Sequence, residues 1–113
     1  MGTRTADLGE FEHLVLLAAL RLGEDAYAPR IAEVLEQRAD REMSRGTLYG
    51  ALDQLERKGL VEFSVEPPTE RRGGRRRRRF TVTAEGIRTL EQARSVMERM
   101  WEGMDERLAG GRA

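Results

Sequence analysis

Residues 44–61 read SRGTLYGALDQLERKGLV, a stretch with the pattern of one complete amphipathic helix. Ser44 is a residue type that caps the free N–H groups at a helix start, and Gly59 is the type that ends a helix in the left-handed conformation. Apolar residues recur at helical spacing and predict a buried stripe of Leu48, Ala51, Leu52 and Leu55. The rest of the helix surface is short, polar and basic.

The exposed side of this predicted helix carries the side chains that we expect to contact a partner, namely Ser44, Arg45, Thr47, Tyr49, Gly50, Gln54 and Arg57. Guanidinium pairs with guanine and a carboxamide with adenine, so Arg45 and Gln54 are the candidates for base edges, although plain solvent exposure explains both almost as well. Tyr49 is amphipathic, so its hydroxyl can bind a phosphate while its ring packs against the preceding helix.

Two further helices are predicted upstream. Asp7 followed by Glu10 three residues later has the capping-box pattern, and a first helix is expected at about residues 8–22. This segment is apolar around most of its circumference, so we expect a second subunit to supply part of its cover. Pro29 suits the first turn of a second helix that ends near Ala39. The second and third helices together predict a helix-turn-helix.

A β-hairpin is predicted after the third helix, because the apolar pattern changes to partial alternation. The first strand covers residues 60–65 and stops at Pro67 and Pro68, and the second resumes around residues 78–83. The connection reads PPTERRGGRRRRR, and its paired glycines permit a tight tip. We predict a DNA-binding wing at this connection, with the candidate contacts Arg71, Arg72, Arg75, Arg76, Arg77 and Arg78.

Charge is distributed unevenly along the 113 residues, although 20 basic and 20 acidic side chains cancel in the sum. Four basic against eight acidic residues give residues 1–40 a charge of −4, whereas eleven against six give residues 41–83 a charge of +5. Attraction to phosphate acts over a Debye length of about 8–10 Å, so the local face matters more than the total. A basic helix face followed by an arginine-rich hairpin predicts binding to double-stranded DNA.

Several functional classes are excluded by composition and motif. The chain has no cysteine and a single histidine, His13, so neither disulfides nor a metal site is expected. No phosphate-cradling loop and no nucleophile–base pair is recognisable, so we expect no enzyme activity and no cofactor. The most apolar segment, residues 14–20, is far shorter than a membrane span and no export signal precedes it, which favours a cytoplasmic protein without membrane contact.

A long last helix is predicted from Ala84 to Leu108, capped by Thr83 and carrying a near-heptad apolar seam. About 25 residues would reach about 37 Å, more than a small domain covers, so we expect a homodimer through the first and last helices. The candidate dimer residues are Phe11, Val15, Met97, Met100, Trp101 and Met104. The last four are either packed core or the lining of an apolar cavity that accepts a small planar effector.

Together these elements predict a mainly α fold with a small β-hairpin, in the α+β class. Residues 1–83 are expected to form a winged helix-turn-helix, and residues 84–113 a C-terminal dimerisation helix with a frayed tail. Two other functions stay open from the residues alone. One is a protein-interaction module whose basic wing docks an acidic partner, and the other is RNA binding through the arginine run.

The chain resembles the PadR family of bacterial transcriptional regulators over nearly its whole length. GTLYGALDQLERKGLV (residues 46–61) is similar to the family's recognition-helix signature, and RRRFTVTAEG (residues 77–86) is similar to its second wing strand and the start of its dimerisation helix. Gly50 stands where proline is common, and Phe80 where tyrosine is common. The resemblance implies an intertwined homodimer that represses transcription at palindromic operators and releases DNA when a small hydrophobic or aromatic compound binds.

Overall fold

The computed structural model describes residues 8–111, which form a mainly helical molecule with one antiparallel hairpin. Its helices are α1 (Glu10–Leu22), α2 (Ala28–Ala39), α3 (Arg45–Arg57), α4 (Ala84–Trp101) and α5 (Asp105–Gly111). Its strands are β1 (Val61–Glu66) and β2 (Arg77–Val82). This architecture confirms the predicted α+β winged helix-turn-helix.

The start of α1 differs from the prediction. Gly9 is the N-cap residue, and its N–H donates to the Glu12 carboxylate at 3.2 Å, so Glu12 rather than Glu10 completes the cap. The predicted cap, Asp7, lies outside the described residues. Glu10 instead pairs with Arg41 in the loop before α3, which ties the start of α1 to the helix-turn-helix.

The ends of α3 lie where the sequence predicts them. The Ser44 hydroxyl accepts a hydrogen bond from the N–H of Thr47 at 3.1 Å, and Gly59 follows the helix with φ of +76°. Lys58, at the C-cap, forms an ion pair with Glu12 of α1 at 2.8 Å. Since Glu12 and Lys58 are mostly shielded from water, this pair fixes the end of α3 against the start of α1.

The core lies between α1, α2, α3 and the inner face of the hairpin. Its largest fully buried side chains include Val15, Leu16, Ile31, Leu52, Leu55, Leu60, Val61 and Phe80. All four residues of the predicted stripe on α3 are buried, and burying one leucine contributes about 1.5–3 kcal/mol. This packing holds the opposite face of α3 towards solvent.

The hairpin and its connection, residues 61–82, are called the wing below. In the antiparallel ladder Phe63 lies opposite Phe80, and Glu66 lies opposite Arg77 in the last pair before the connection. The backbone N–H of Phe80 donates to the carbonyl of Ala26 at 2.9 Å, just before α2. The root of the wing is therefore joined to the helical body by backbone as well as by core packing.

The tip of the wing, residues 67–76, is an ordered turn. A short 3-10 turn ends at Gly73, and both Gly73 and Gly74 have positive φ, at +63° and +76°. The Arg72 guanidinium donates to the carbonyl of Pro67, and its Nε donates to the carbonyl of Arg75 at 3.2 Å. Arg72 therefore acts partly as a structural residue of the turn.

The first turn of α4 is fastened to the wing root and the end of α3. The Thr83 hydroxyl accepts from the N–H of Gly86 at 3.0 Å and donates to the carbonyl of Gly59 at 2.7 Å. A Cβ atom at Gly86 would lie 2.3 Å from the carbonyl oxygen of Leu60, so only glycine permits this approach. The predicted cap at Thr83 is confirmed.

The prediction of one continuous last helix is wrong, because α4 stops at Trp101 and α5 begins at Asp105. Glu102 leaves the helical region at φ −54° and ψ 128°, and Gly103 adopts φ of +77°. Glycine costs a helix interior about 1 kcal/mol relative to alanine and enters the left-handed region without a steric penalty. The apolar seam is therefore divided between two helices.

Apolar side chains remain exposed along these two helices: Ile87, Val96, Met97, Met100, Trp101, Met104 and Leu108. On α1 the exposed apolar residues are Leu17 and Leu20. Val15 is 0 % exposed and belongs to the core of the single chain, which corrects its assignment to a dimer contact. Phe11 is half-buried against the same core. Within residues 8–111 no helix is both long and apolar enough for a membrane span, and no group of acidic or histidine side chains is arranged as a metal site.

Candidate nucleic-acid interface

A groove of about 900 Å³ runs between the first turn of α2, the first turns of α3 and the wing. Eight of its lining residues are arginines and none is acidic, which makes it strongly electropositive. The predicted contact residues that it brings together are Ser44, Arg45, Tyr49, Arg71, Arg72, Arg75, Arg76, Arg77 and Arg78. The start of α3 and the arginine-rich connection thus share one surface.

The other predicted residues of α3 lie outside the groove lining, on the exposed surface of the helix. Since a helix turns about 100° per residue, Gly50 and Arg57 point away from the buried stripe, whereas Thr47 and Gln54 lie on the flank opposite Arg45. No atom lies within 4 Å of the Cβ position of Gly50. The outer face of α3 is therefore open to close approach by a partner.

Arg78 connects the wing to α3. Its guanidinium lies 4.8 Å from the ring centroid of Phe63 and 5.9 Å from that of Tyr49. A guanidinium nitrogen of Arg78 also lies 3.9 Å from Asp53 Oδ1 on α3. An exposed ion pair of this kind contributes at most about 1 kcal/mol, so Arg78 is restrained by the two rings as much as by charge.

Arg77 belongs to a second link, the Tyr27–Glu66–Arg77 cluster, which joins the wing to α2. The Arg77 guanidinium lies 3.7 Å from the ring centroid of Tyr27, and its Nε donates to Glu66 Oε2 at 3.0 Å. The Tyr27 hydroxyl donates to Glu66 Oε1 at 2.9 Å, and Arg79 Nε lies 3.7 Å from the same oxygen. Tyr27 also forms a backbone bridge to Arg79.

The cluster changes the acid–base behaviour of both ionisable partners. The hydrogen bond from Tyr27, followed by that from Arg77, holds the pKa of Glu66 below its ordinary value. Burial, followed by the hydrogen bond to Glu66, raises the pKa of Tyr27. Around neutral pH the carboxylate is therefore the acceptor and the hydroxyl the donor.

Three arginines are differently placed. Within residues 8–111, the side chains of Arg45, Arg71 and Arg76 form no hydrogen bond or ion pair with another protein group. Their guanidinium groups are exposed at the groove, so they can bind phosphate oxygens or base edges without first breaking a protein contact.

Sequence reasoning missed Tyr27, Arg30 and Glu66 as parts of this surface. Arg30 is at the start of α2 and lines the groove, while the other two hold Arg77. Pro29 already marks the first turn of α2, so the adjacent Arg30 was detectable in principle. The role of Glu66 depends on its register opposite Arg77, which the sequence of the connection does not specify.

Residues 16–92 match the family model described as the transcriptional regulator PadR-like family. The chain belongs to this family. The resemblance drawn from residues 46–61 and 77–86 is thereby confirmed. This PadR-like protein is a DNA-binding transcriptional regulator and not an enzyme. Membership of this family favours duplex DNA as the binding partner, rather than RNA or an acidic protein.

Solved structures give the same result for the fold. A PadR family transcription regulator from Clostridium difficile R20291 is 26% identical, with a TM-score of 0.71 over 88% of this chain and 99% of that chain. A PadR family regulator from Eggerthella lenta DSM 2243 is 25% identical, with a TM-score of 0.67 over 88% and 86% of the two chains. RosR of H. salinarum, in its RosR-S4 complex structure, is 27% identical, with a TM-score of 0.65 over 96% and 86%. No curated protein matches the sequence.

Proposed function

We propose that this PadR-like protein is a homodimeric repressor that binds an inverted-repeat operator in the cytoplasm and releases it when a small apolar or aromatic compound binds. The observation that carries the proposal is the groove lined by eight arginines, which lies beside the exposed face of α3. In the proposed complex α3 enters a major groove and the wing lies against the adjacent phosphate backbone.

The DNA-binding part of the proposal rests on shape and charge together. A major groove about 12 Å wide admits one α-helix, and the outer face of α3 is unobstructed at Gly50. Arg45 is assigned to a base edge because it is unpaired and lies in the first turn of α3. Arg71 and Arg76 are assigned to phosphates, since exposed arginines at the tip of a hairpin suit the backbone and a narrow minor groove.

The dimer is supported by the apolar surface of α4 and α5. Met100 is 71% exposed and Trp101 is 54% exposed, and they are followed by Met104 in the connection and Leu108 on α5. Apolar patches of this kind on a small protein mark an interaction surface. A second copy of the chain is the proposed occupant, because an inverted repeat requires two symmetry-related α3 helices about 34 Å apart, one turn of B-DNA.

The effector site is proposed at the same interface. Met97, Met100, Trp101 and Met104 provide polarisable, adaptable surface for a planar compound. The arginine groove and a second pocket of about 350 Å³ are lined by other residues, and Trp101 is exposed in the single chain, so we place the effector cavity between two subunits. A compound seated there would change the relation of the two subunits and thereby the spacing of the α3 helices.

Selection of bound duplexes from a random pool tests the proposal directly. Recovery of an inverted repeat with half-sites about one helical turn apart is expected, since both subunits contact the same side of the DNA. Arg45→Ala should bind the selected and shuffled duplexes with nearly equal affinity, whereas Arg38→Ala on the last turn of α2 should keep the preference. A pool without enrichment, or better competition by single-stranded RNA or an acidic polypeptide, would contradict the proposal.

A further inference from the structure

Glu66 occupies the place where three elements of the molecule meet. It is the last residue of β1, it lies opposite the first residue of β2, and it accepts the hydroxyl of Tyr27, the N-cap residue of α2. Both of its carboxylate oxygens are used, one by Tyr27 at 2.9 Å and the other by Arg77 at 3.0 Å. No other acidic side chain contacts two elements around the arginine groove in this way among residues 8–111.

By charge alone, Glu66 should oppose DNA binding. It places one negative charge behind a groove whose lining is entirely basic or neutral, and it is paired with Arg77 and near Arg79. Removing a carboxylate near a phosphate-binding surface ordinarily strengthens binding, because the local potential becomes more positive. An electrostatic argument therefore predicts that neutral Glu66 variants bind DNA more tightly.

By geometry, Glu66 should favour DNA binding. The wing tip, residues 67–76, follows it directly and contains the unpaired Arg71 and Arg76. Within the part of the chain that the structure describes, no hydrogen bond or ion pair joins this tip to a helix, so its bonds are internal. The contact of Glu66 with Tyr27 is thus the last polar tie between β1 and the helical body before the tip.

We propose that Glu66 is a positioning residue of the DNA interface, which sets the angle of the wing tip against α3 by joining Tyr27 to Arg77, and that this role outweighs its unfavourable charge. The inference rests on the proposed contact of the wing with the DNA backbone. The lowered pKa of Glu66 agrees with it, since the ionised form is the one that accepts from both partners.

The decisive measurement is the affinity of Glu66→Gln for the selected operator. We expect a loss of about five- to tenfold, the size of the net contribution of one intramolecular hydrogen bond, even though the chain becomes more positive by one unit. Glu70→Gln is the matched control, because Glu70 lies in the same wing tip and its side chain has no hydrogen-bond or ion-pair partner within residues 8–111. This control should bind about two- to threefold more tightly.

Two further variants separate positioning from loss of fold. Tyr27→Phe removes one hydroxyl without changing charge, and it should weaken binding in the same direction by a smaller factor. In the Glu66→Gln background, Arg76→Gln should cost clearly less than in the unmodified chain, since the tip no longer holds Arg76 at the phosphate; a global loss of stability would leave that cost unchanged.

The inference is overturned if folded Glu66→Gln binds the operator as tightly as the unmodified protein or more tightly, or if the cost of Arg76→Gln is the same in both backgrounds. Failure of the proposed function looks different. In that case the unmodified protein shows no sequence preference, or Arg76→Gln is silent already in the unmodified chain.

Discussion

Individual arginines of the wing have unequal roles, although their sequence is nearly uniform. Arg77 and Arg78 are held by tyrosine and phenylalanine rings and by carboxylates, whereas Arg71 and Arg76 have no protein partner among the described residues. Arg72 bonds to backbone carbonyls of the turn. Fewer phosphate contacts should therefore form than the number of arginines suggests.

Arg76→Gln tests this distinction. The variant should bind all duplexes more weakly by a similar factor, and the slope of log affinity against log salt should become shallower by about 1, because one phosphate contact is lost. Titrations at several salt concentrations measure both quantities. Arg38→Gln, the control, removes the same charge outside the groove lining and should leave the slope unchanged. An altered base preference for Arg76→Gln would instead assign Arg76 to sequence reading.

The pH dependence of stability tests the ionic state of Glu66. Since its pKa is lowered in the folded protein, its contribution is complete above the ordinary value of 4.5 and is lost as the pH falls through the lower folded value. Because the pKa of Tyr27 is raised, the contribution of Tyr27 to stability is complete below pH 10 and is lost only as the pH rises above that value. The difference in unfolding free energy between the unmodified protein and Glu66→Gln should be constant near neutral pH and shrink below 4.5. A difference that grows in acid would contradict the assignment.

The sequence was sufficient for residues governed by local rules. Ser44 and Gly59 were predicted because capping and left-handed turns depend on one or two neighbours, and the leucines of α3 because burial follows helical spacing. Glu66 was missed because its role depends on strand register. Val15 was wrongly assigned to the dimer contact, because the sequence does not show which side of a mostly apolar helix is covered by its own chain.

At the level of elements, the close contact of α4 with the wing root is the most demanding feature of the fold. Gly86→Ala should destabilise the protein by about 1–3 kcal/mol, because the new Cβ would meet the backbone of Leu60 and the side chain of Val82, and the former cannot rotate away. Gly50→Ala is the matched control in another helix, with open space around its Cβ position, and should stabilise by about 0.5–1 kcal/mol. Urea unfolding of both variants measures the difference.

The break between α4 and α5 shows where periodicity fails as evidence. Apolar residues continue at near-heptad spacing across Gly103, so the pattern alone predicts one helix. Backbone preference decides otherwise, because in one protomer the residues on both sides are exposed and no packing compensates for glycine inside a helix. Helix propensity has little influence where a helix packs in a core, but it decides the conformation of a segment that has no packing partner.

At the scale of the whole molecule, the basic surface and the apolar surface belong to different parts of the chain. The arginines gather between α2, α3 and the wing, whereas the exposed methionines and Trp101 lie on α4 and on its connection to α5. A chain with zero formal net charge therefore presents a basic surface on one part and an apolar surface on another. The distribution of charge over the molecule therefore matters more for binding than the net charge.

Met100→Glu tests the proposed association of two copies. Burying an unpaired carboxylate in an apolar interface is strongly unfavourable, so the variant should sediment as a monomer at concentrations where the unmodified protein is a dimer. Its affinity for the inverted repeat should fall at least about 100-fold, or roughly 3 kcal/mol. Ser95→Glu, on the opposite side of α4, adds the same charge and should remain dimeric. An unmodified protein that sediments only as a monomer would refute the dimer.

The fastening of Thr83 and Gly86 to the end of α3 makes α4 a lever with its pivot at the wing root. Over 18 residues α4 is about 27 Å long, so a tilt of about 5° moves Trp101 by roughly 2 Å while Gly59, beside the pivot, hardly shifts. The displacement therefore becomes smaller along α4 towards its end beside α3. A shift of several ångströms near Trp101 therefore moves the residues beside the pivot by only a small fraction of that distance.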